Sequence, residues 1–141
     1  MQHRLFMALL TVTLTTGVTA ASRDLQPGLW EVTTTTSMPG MPVQMPPQTL
    51  RQCYTAADLA QAQEAVRQGG NDNCKIQNFK EQGNTASWAV ACSGAPAMRG
   101  TGTMTSTATA FSGSMDSVVN TPGGTMAITN SWRAKRLGAC K

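Results

Sequence analysis

The chain has 141 residues, a length that suits one domain, and 13% of them are charged against a globular average of about 25%. Twenty Thr stand where charge is missing, the opposite of a disorder signature, which needs high net charge and few β-branched residues. The formal net charge of +4 is spread along the chain and excludes a strongly basic nucleic-acid binder.

The first twenty residues read as an address. Met1 to Arg4 carries a positive charge, Leu5 to Leu14 is apolar but for two Thr, and Val18-Thr19-Ala20 fits a small-x-Ala cleavage pattern. A membrane-spanning helix needs about 20 apolar residues, and Thr15, Thr16 and Gly17 cut this run short. Residues 1–20 are therefore expected to be a signal peptide, with 21–141 forming one β-rich domain. Cleavage near Ala20 would remove Arg4 and also His3, the only histidine. The mature protein would then carry no histidine and would be periplasmic or secreted.

Ser22 to Gln26 is a polar leader, and Pro27-Gly28 opens the domain. Leu29 to Thr36 is β-branched and reads as a strand with Trp30, Val32 and Thr34 on one face. Residues 38–47 form a loop, because four Pro deny it ladder donors. Thr49 to Tyr54 is a second strand. Thr55 then caps the one helix, about 56–68, with Asp58 completing a capping box. Leu59, Ala62 and Val66 give it a thin apolar stripe, so it should lie on a sheet rather than be buried in one; Gly69-Gly70 ends it.

From Cys74 onward the pattern is hairpins. Strands are predicted at about 74–81, 85–93, 98–106, 109–119 and 125–137, separated by short turns. A hairpin centred on Gly83 sets Ile76 opposite Val90 and Cys74 opposite Cys92, within disulfide reach. This predicts Cys74–Cys92 and, by elimination, Cys53–Cys140. An even cysteine count in a small exported chain supports structural disulfides, and no CxxC-like spacing supports a metal or redox site. The fold class is mainly β with one helix: an antiparallel meander, curled or barrel-like, stabilised by disulfides. Its expected core is Trp30, Val32, Ile76, Trp88, Val90, Phe111, Met115, Met126, Ile128 and Trp132.

Several motifs together carry a resemblance: Pro27-Gly28-Leu29-Trp30-Glu31-Val32, Met38-Pro39-Gly40-Met41-Pro42 with Met45-Pro46-Pro47, Cys53, Cys74, Trp88, Cys92, and the terminal Ala134-Lys135-Arg136-Leu137-Gly138-Ala139-Cys140. In this order they resemble a domain-of-unknown-function family of small exported proteins from Gram-negative bacteria. The resemblance implies a periplasmic or secreted β-rich domain with structural cysteines. It carries over no catalytic residue.

Candidate chemistries are few. General acid–base work falls to His or to paired carboxylates, and the seven acids are scattered along the chain. No catalytic residue and no bound cofactor is expected. Met38, Met41 and Met45 are soft thioether ligands that suit Cu(I), though Met in a Pro-rich loop serves equally as apolar cover. Thr101, Thr103, Thr105, Thr107 and Thr109 share one face if the strand runs straight through them; the turn near Thr107 should interrupt it. Arg133 and Lys135 share a strand face, and Arg136 and Lys141 lie nearby, which suits a solvated edge or an anionic partner. Gly28, Gly100, Gly102, Gly113 and Ala127 are small residues on an inner face, marking bends, bulges or a cleft.

These observations point to an exported, non-catalytic binding or structural module of the cell envelope. Its partner is a small ligand or an envelope protein; no nucleic acid is expected, no transmembrane segment after cleavage, and a monomer. The alternative is a Cu(I)-binding protein using the methionine loop, with a hydrolytic enzyme lacking His behind both. N-terminal sequencing of the protein from cells expressing the full chain should begin at Ala21 or Ser22, and a retained Met1 refutes the signal peptide.

Overall fold

The computed structural model describes residues 24–41 and 45–141. The predicted signal peptide lies outside them, as do residues 42–44 of the methionine loop. Seven strands and one helix follow in the order β1 (Gly28–Ser37), β2 (Gln48–Tyr54), α1 (Ala56–Arg67), β3 (Cys74–Gln82), β4 (Thr85–Cys92), β5 (Met98–Ser106), β6 (Ala110–Thr121) and β7 (Gly124–Gly138). One antiparallel sheet holds all seven strands, in the order β2-β1-β7-β6-β5-β4-β3. The hairpins from β3 to β7 form the expected meander, and β1 joins it beside β7. The sheet does not close into a barrel: β2 and β3 are its two edges.

The register assigns every strand residue to a face. Trp30, Val32, Trp132, Ala134, Phe111, Met115, Met104, Trp88, Val90 and Ile76 all fall on one side, which is the side α1 occupies. The opposite, outer face carries Thr, Ser and charge. There Thr33 pairs with Thr49 at 2.9 Å and Thr85 with Thr105 at 3.0 Å, and Thr129 donates to Asp116 at 2.6 Å. Each is a directly opposed cross-strand pair, the unit that stabilises a sheet. Thr101, Thr103 and Thr105 share this face, but β5 ends at Ser106 and Thr107 turns the chain by binding Ala110. Ala127 also faces outward, opposite Val118, and not inward as expected.

Glu31 sits between two cations on the outer face. Lys135 reaches it at 3.2 Å from β7 and Arg51 at 3.1 Å from β2. The hydrogen bond from Lys135, then that from Arg51, holds the Glu31 carboxyl below the ordinary range. Arg133 is exposed, whereas Arg136 turns to the other face and donates to the Pro27 carbonyl at 2.9 Å.

Helix α1 has the predicted cap. The Asp58 amide donates to Thr55 Oγ1 at 3.1 Å, and the Thr55 amide donates to Asp58 Oδ2 at 2.8 Å. The Thr55 hydroxyl and amide together hold the Asp58 carboxyl below its ordinary value. As expected, α1 buries none of its residues.

The core is smaller than the sequence suggests. Of the ten residues expected there, Trp30 alone is fully buried, and Met126 is exposed. The other eight are half-buried. The reason is geometric: they share one face of one sheet, and among the described residues one helix and the short segment before β1 are what lies over it. Trp30 escapes because the chain before β1 folds over it. The Gln26 amide donates to the Ala108 carbonyl at 2.9 Å, and Trp30 Nε1 donates to the Gln26 carbonyl at 3.1 Å. Its ring also meets Phe111 with centroids 5.4 Å apart, reaching across β7 over the small, buried Ala134.

Both predicted disulfides are formed. Cys74–Cys92 joins directly opposed residues of β3 and β4, with Cα atoms 4.0 Å apart. Cys53–Cys140 ties β2 to the residues after β7, with Cα atoms 5.6 Å apart. In the chain-entropy model the two closures, 18 and 87 residues apart in sequence, are worth about 3 and about 4.5 kcal/mol respectively. Replacing Cys53 and Cys140 together by Ser should lower the denaturant midpoint more than replacing Cys74 and Cys92; equal or reversed losses in urea unfolding contradict this ordering.

Candidate functional site

A largely apolar cleft lies between α1 and the sheet face beneath it, with a volume of about 670 Å³. Leu59, Ala62 and Val66 line it from the helix, the same stripe that the sequence shows. From the sheet come Ile76 and Phe79 of β3, Trp88 of β4 and Met104 of β5. Leu25, from the segment before β1, adds to the wall.

The two ends of the cleft differ. The register sets Tyr54 at the same end of the sheet as Gln82, and Cys74 at the other. Helix α1 therefore runs from one end of the sheet to the other as it crosses from β2 toward β3. Its last turn, with Val66 and Arg67, stands at the Ile76 end. Asp24, Glu81, Asn84 and Ser106 stand at the opposite end.

Phe79 is the residue that sequence reasoning missed. Near the turn the strands pair as Gln82↔Thr85 and Lys80↔Ser87, but beyond Gln77 they pair as Ile76↔Val90 and Cys74↔Cys92. One extra residue is therefore accommodated in β3, at Asn78, whose φ is 52°. Such a bulge reverses the facing of everything on one side of it. A hairpin in uniform register, as expected from the sequence, would send Phe79 and Glu81 to the outer face; the bulge turns both into the cleft. The available signal was Asn78 itself, since Asn tolerates positive φ better than most residues.

Two glycines support tryptophans. Gly102 lies opposite Trp88, and Gly113 opposite Trp132. A Cβ built on Gly102 would come within 2.6 Å of Trp88 Cε2 and Cζ2, and one on Gly113 within 2.9 Å of Trp132 Cζ2. Each indole thus lies down on the bare backbone of the neighbouring strand. The small residues on this face make room for aromatic rings, and Trp88 becomes the floor of the cleft.

The remaining candidates are not gathered at the cleft. Met38 is half-buried at the end of β1, while Met41 and Met45 are exposed. The Met41 amide donates to the Met38 carbonyl at 3.1 Å, and the chain between Met41 and Met45 lies outside the described residues. Among the described residues no cluster of three His, Cys, Asp or Glu could hold a metal, and no helix is long and apolar enough to cross a membrane. All four thiols are in disulfides. The structure does bring two of the acids, Asp24 and Glu81, to the same cleft, and each has a partner within the protein.

A family model described as a protein of unknown function, DUF3617, matches residues 25–140. The chain belongs to this family. The DUF3617 match covers every strand, the helix, both disulfides and all of the cleft except Asp24. No curated protein and no solved structure matches the chain.

Trp88 and Gly102 give a direct test of the cleft floor. The variant Gly102→Ala forces the indole up from the sheet and should cost about 1–3 kcal/mol of stability through overpacking. Near-ultraviolet circular dichroism should change with it; an unaltered spectrum and unchanged stability would refute the stacked geometry.

Proposed function

We propose that the protein is an exported, non-catalytic binding module, and that a small apolar ligand occupies the cleft between α1 and β3–β5. One observation carries this reading: large apolar side chains stand half-buried around an opening of about 670 Å³, within the range of roughly 300–1,000 Å³ typical of small-molecule sites. A core residue would be packed on all sides. Ile76, Trp88 and Met104 are instead packed on the sheet side and open toward the cleft.

Export is supported by the signal-like first twenty residues and by cysteines paired as two disulfides, which persist in oxidising compartments. A binding role without catalysis is supported by the side-chain inventory. Cleavage would leave no histidine, and the thiols are consumed by disulfides.

The uncharged fluorescent probe N-phenyl-1-naphthylamine tests the reading. Delipidated protein should bind it at one site with enhanced emission. Ala62, exposed on the helix face of the cleft, can be replaced by Trp to fill the opening without disturbing the sheet. Ala62→Trp should reduce probe binding at least about tenfold, the effect of losing burial of a few tens of Å² of apolar surface. Absence of saturable binding, or binding unaffected by Ala62→Trp, overturns the reading.

A further inference from the structure

We propose that the ligand is a single-chain amphiphile with an anionic head, laid lengthwise beneath α1 with its head at Arg67. This rests on the binding reading above and adds shape, direction and charge to it. The shape follows from the walls. One is a single helical stripe, Leu59, Ala62 and Val66; the other is the row of side chains from β3 to β5. The space between them runs with the strands. Along the unbulged β4, from Val90 opposite Ile76 to Ala86 opposite Glu81, the span is about 13 Å at the usual rise per residue. An extended acyl chain fits a trough of that form, with Ile76, Phe79, Trp88 and Met104 along one side.

The direction follows from the ends. Arg67 is the only cation among the described residues that line the cleft, and it stands beside Val66 in the last turn of α1. Its ion pair is a long one, 3.8 Å to Glu64 one turn back, and three-quarters of its side chain is exposed. The guanidinium can therefore turn to a carboxylate at the cleft mouth while its stem stays on the helix. At the far end the described ionisable groups that line the cleft are Asp24 and Glu81, each already engaged within the protein. No described cation lines the cleft at that end. A head at Arg67 meets a cation, and its tail runs along the apolar walls toward Leu25.

Displacement of N-phenyl-1-naphthylamine from delipidated protein decides the matter, using dodecanoate, dodecan-1-ol and dodecyltrimethylammonium below their aggregation limits. Dodecanoate should displace the probe at one equivalent and bind more tightly than the ammonium compound. Arg67→Gln should weaken dodecanoate by about threefold to fivefold, the scale of an exposed ion pair, and leave dodecan-1-ol unchanged. The proposal fails if the probe binds but no straight-chain compound displaces it. It fails equally if the ammonium compound binds as tightly as dodecanoate, or if Arg67→Gln weakens the alcohol as much as the acid. A protein that binds neither the probe nor any chain refutes the underlying binding reading as well.

Discussion

A twelve-residue helix cannot cover seven strands. The helix is about 18 Å long and the sheet about 29 Å across. Since one face of that sheet carries nearly all of the large apolar side chains, most of them stay half-buried, with a strand beneath and little of the described chain above. Only where a second piece of chain arrives does burial become complete. The turn at Gln26 accepts the indole hydrogen bond of Trp30 and closes over its ring, while Ala134 is small enough to let Trp30 and Phe111 meet above it. Elsewhere the face stays half-covered, and a cleft is the direct result.

The disulfides answer the same shortage. Edge strands have one hydrogen-bonded neighbour and are the first to fray, and the edges here are β2 and β3. Cys53 fastens β2 across β1 to the end of β7, and Cys74 fastens β3 to β4. These two cysteines also bracket the helix, one just before its cap and one at the first residue of β3. A helix with no buried residue and a thin apolar stripe has little affinity of its own for the sheet. Anchored at both ends, it is kept over the cleft without having to be packed into it. On the outer face, cross-strand Thr pairs and the Arg51–Glu31–Lys135 row help to hold neighbouring strands in register.

Much of this was legible in the residues, because most of it is local. Thr55 and Asp58 announce the helix start, Gly69-Gly70 its end, and the sequence between Cys74 and Cys92 announces a hairpin that opposes them. The cysteine pairing was correct although the hairpin is not uniform. The bulge at Asn78 adds one residue near the turn and shifts the pairing only on that side, so Cys74 still faces Cys92 while Phe79 and Glu81 change faces. A single residue in a left-handed conformation leaves no periodic trace, which is why a residue of the cleft was invisible. Burial was the other failure, and its cause is global. Alternation along β6 and β7 assigns Met115, Ile128 and Met126 to the correct face, but no strand records how far the single helix extends over its neighbours. The aromatic–glycine pairs are half visible in the sequence: Gly102 and Gly113 stand out as small residues, yet only the register identifies the rings that rest on them.

Under the proposed function, stability and binding draw on the same surface. A ligand that binds the folded protein alone stabilises it by about 2.7 kcal/mol at a hundred times its dissociation constant. Here that term would act on side chains the sheet leaves open, since a tail along Ile76, Phe79, Trp88 and Met104 would supply the contacts that a second layer of helices gives in a larger α+β domain. Deepening the core with bulkier residues would fill the same space and remove the site. The half-buried face is therefore consistent with two demands made on one surface: enough apolar contact to hold an open sheet together, and enough left uncovered to receive a ligand beneath the helix.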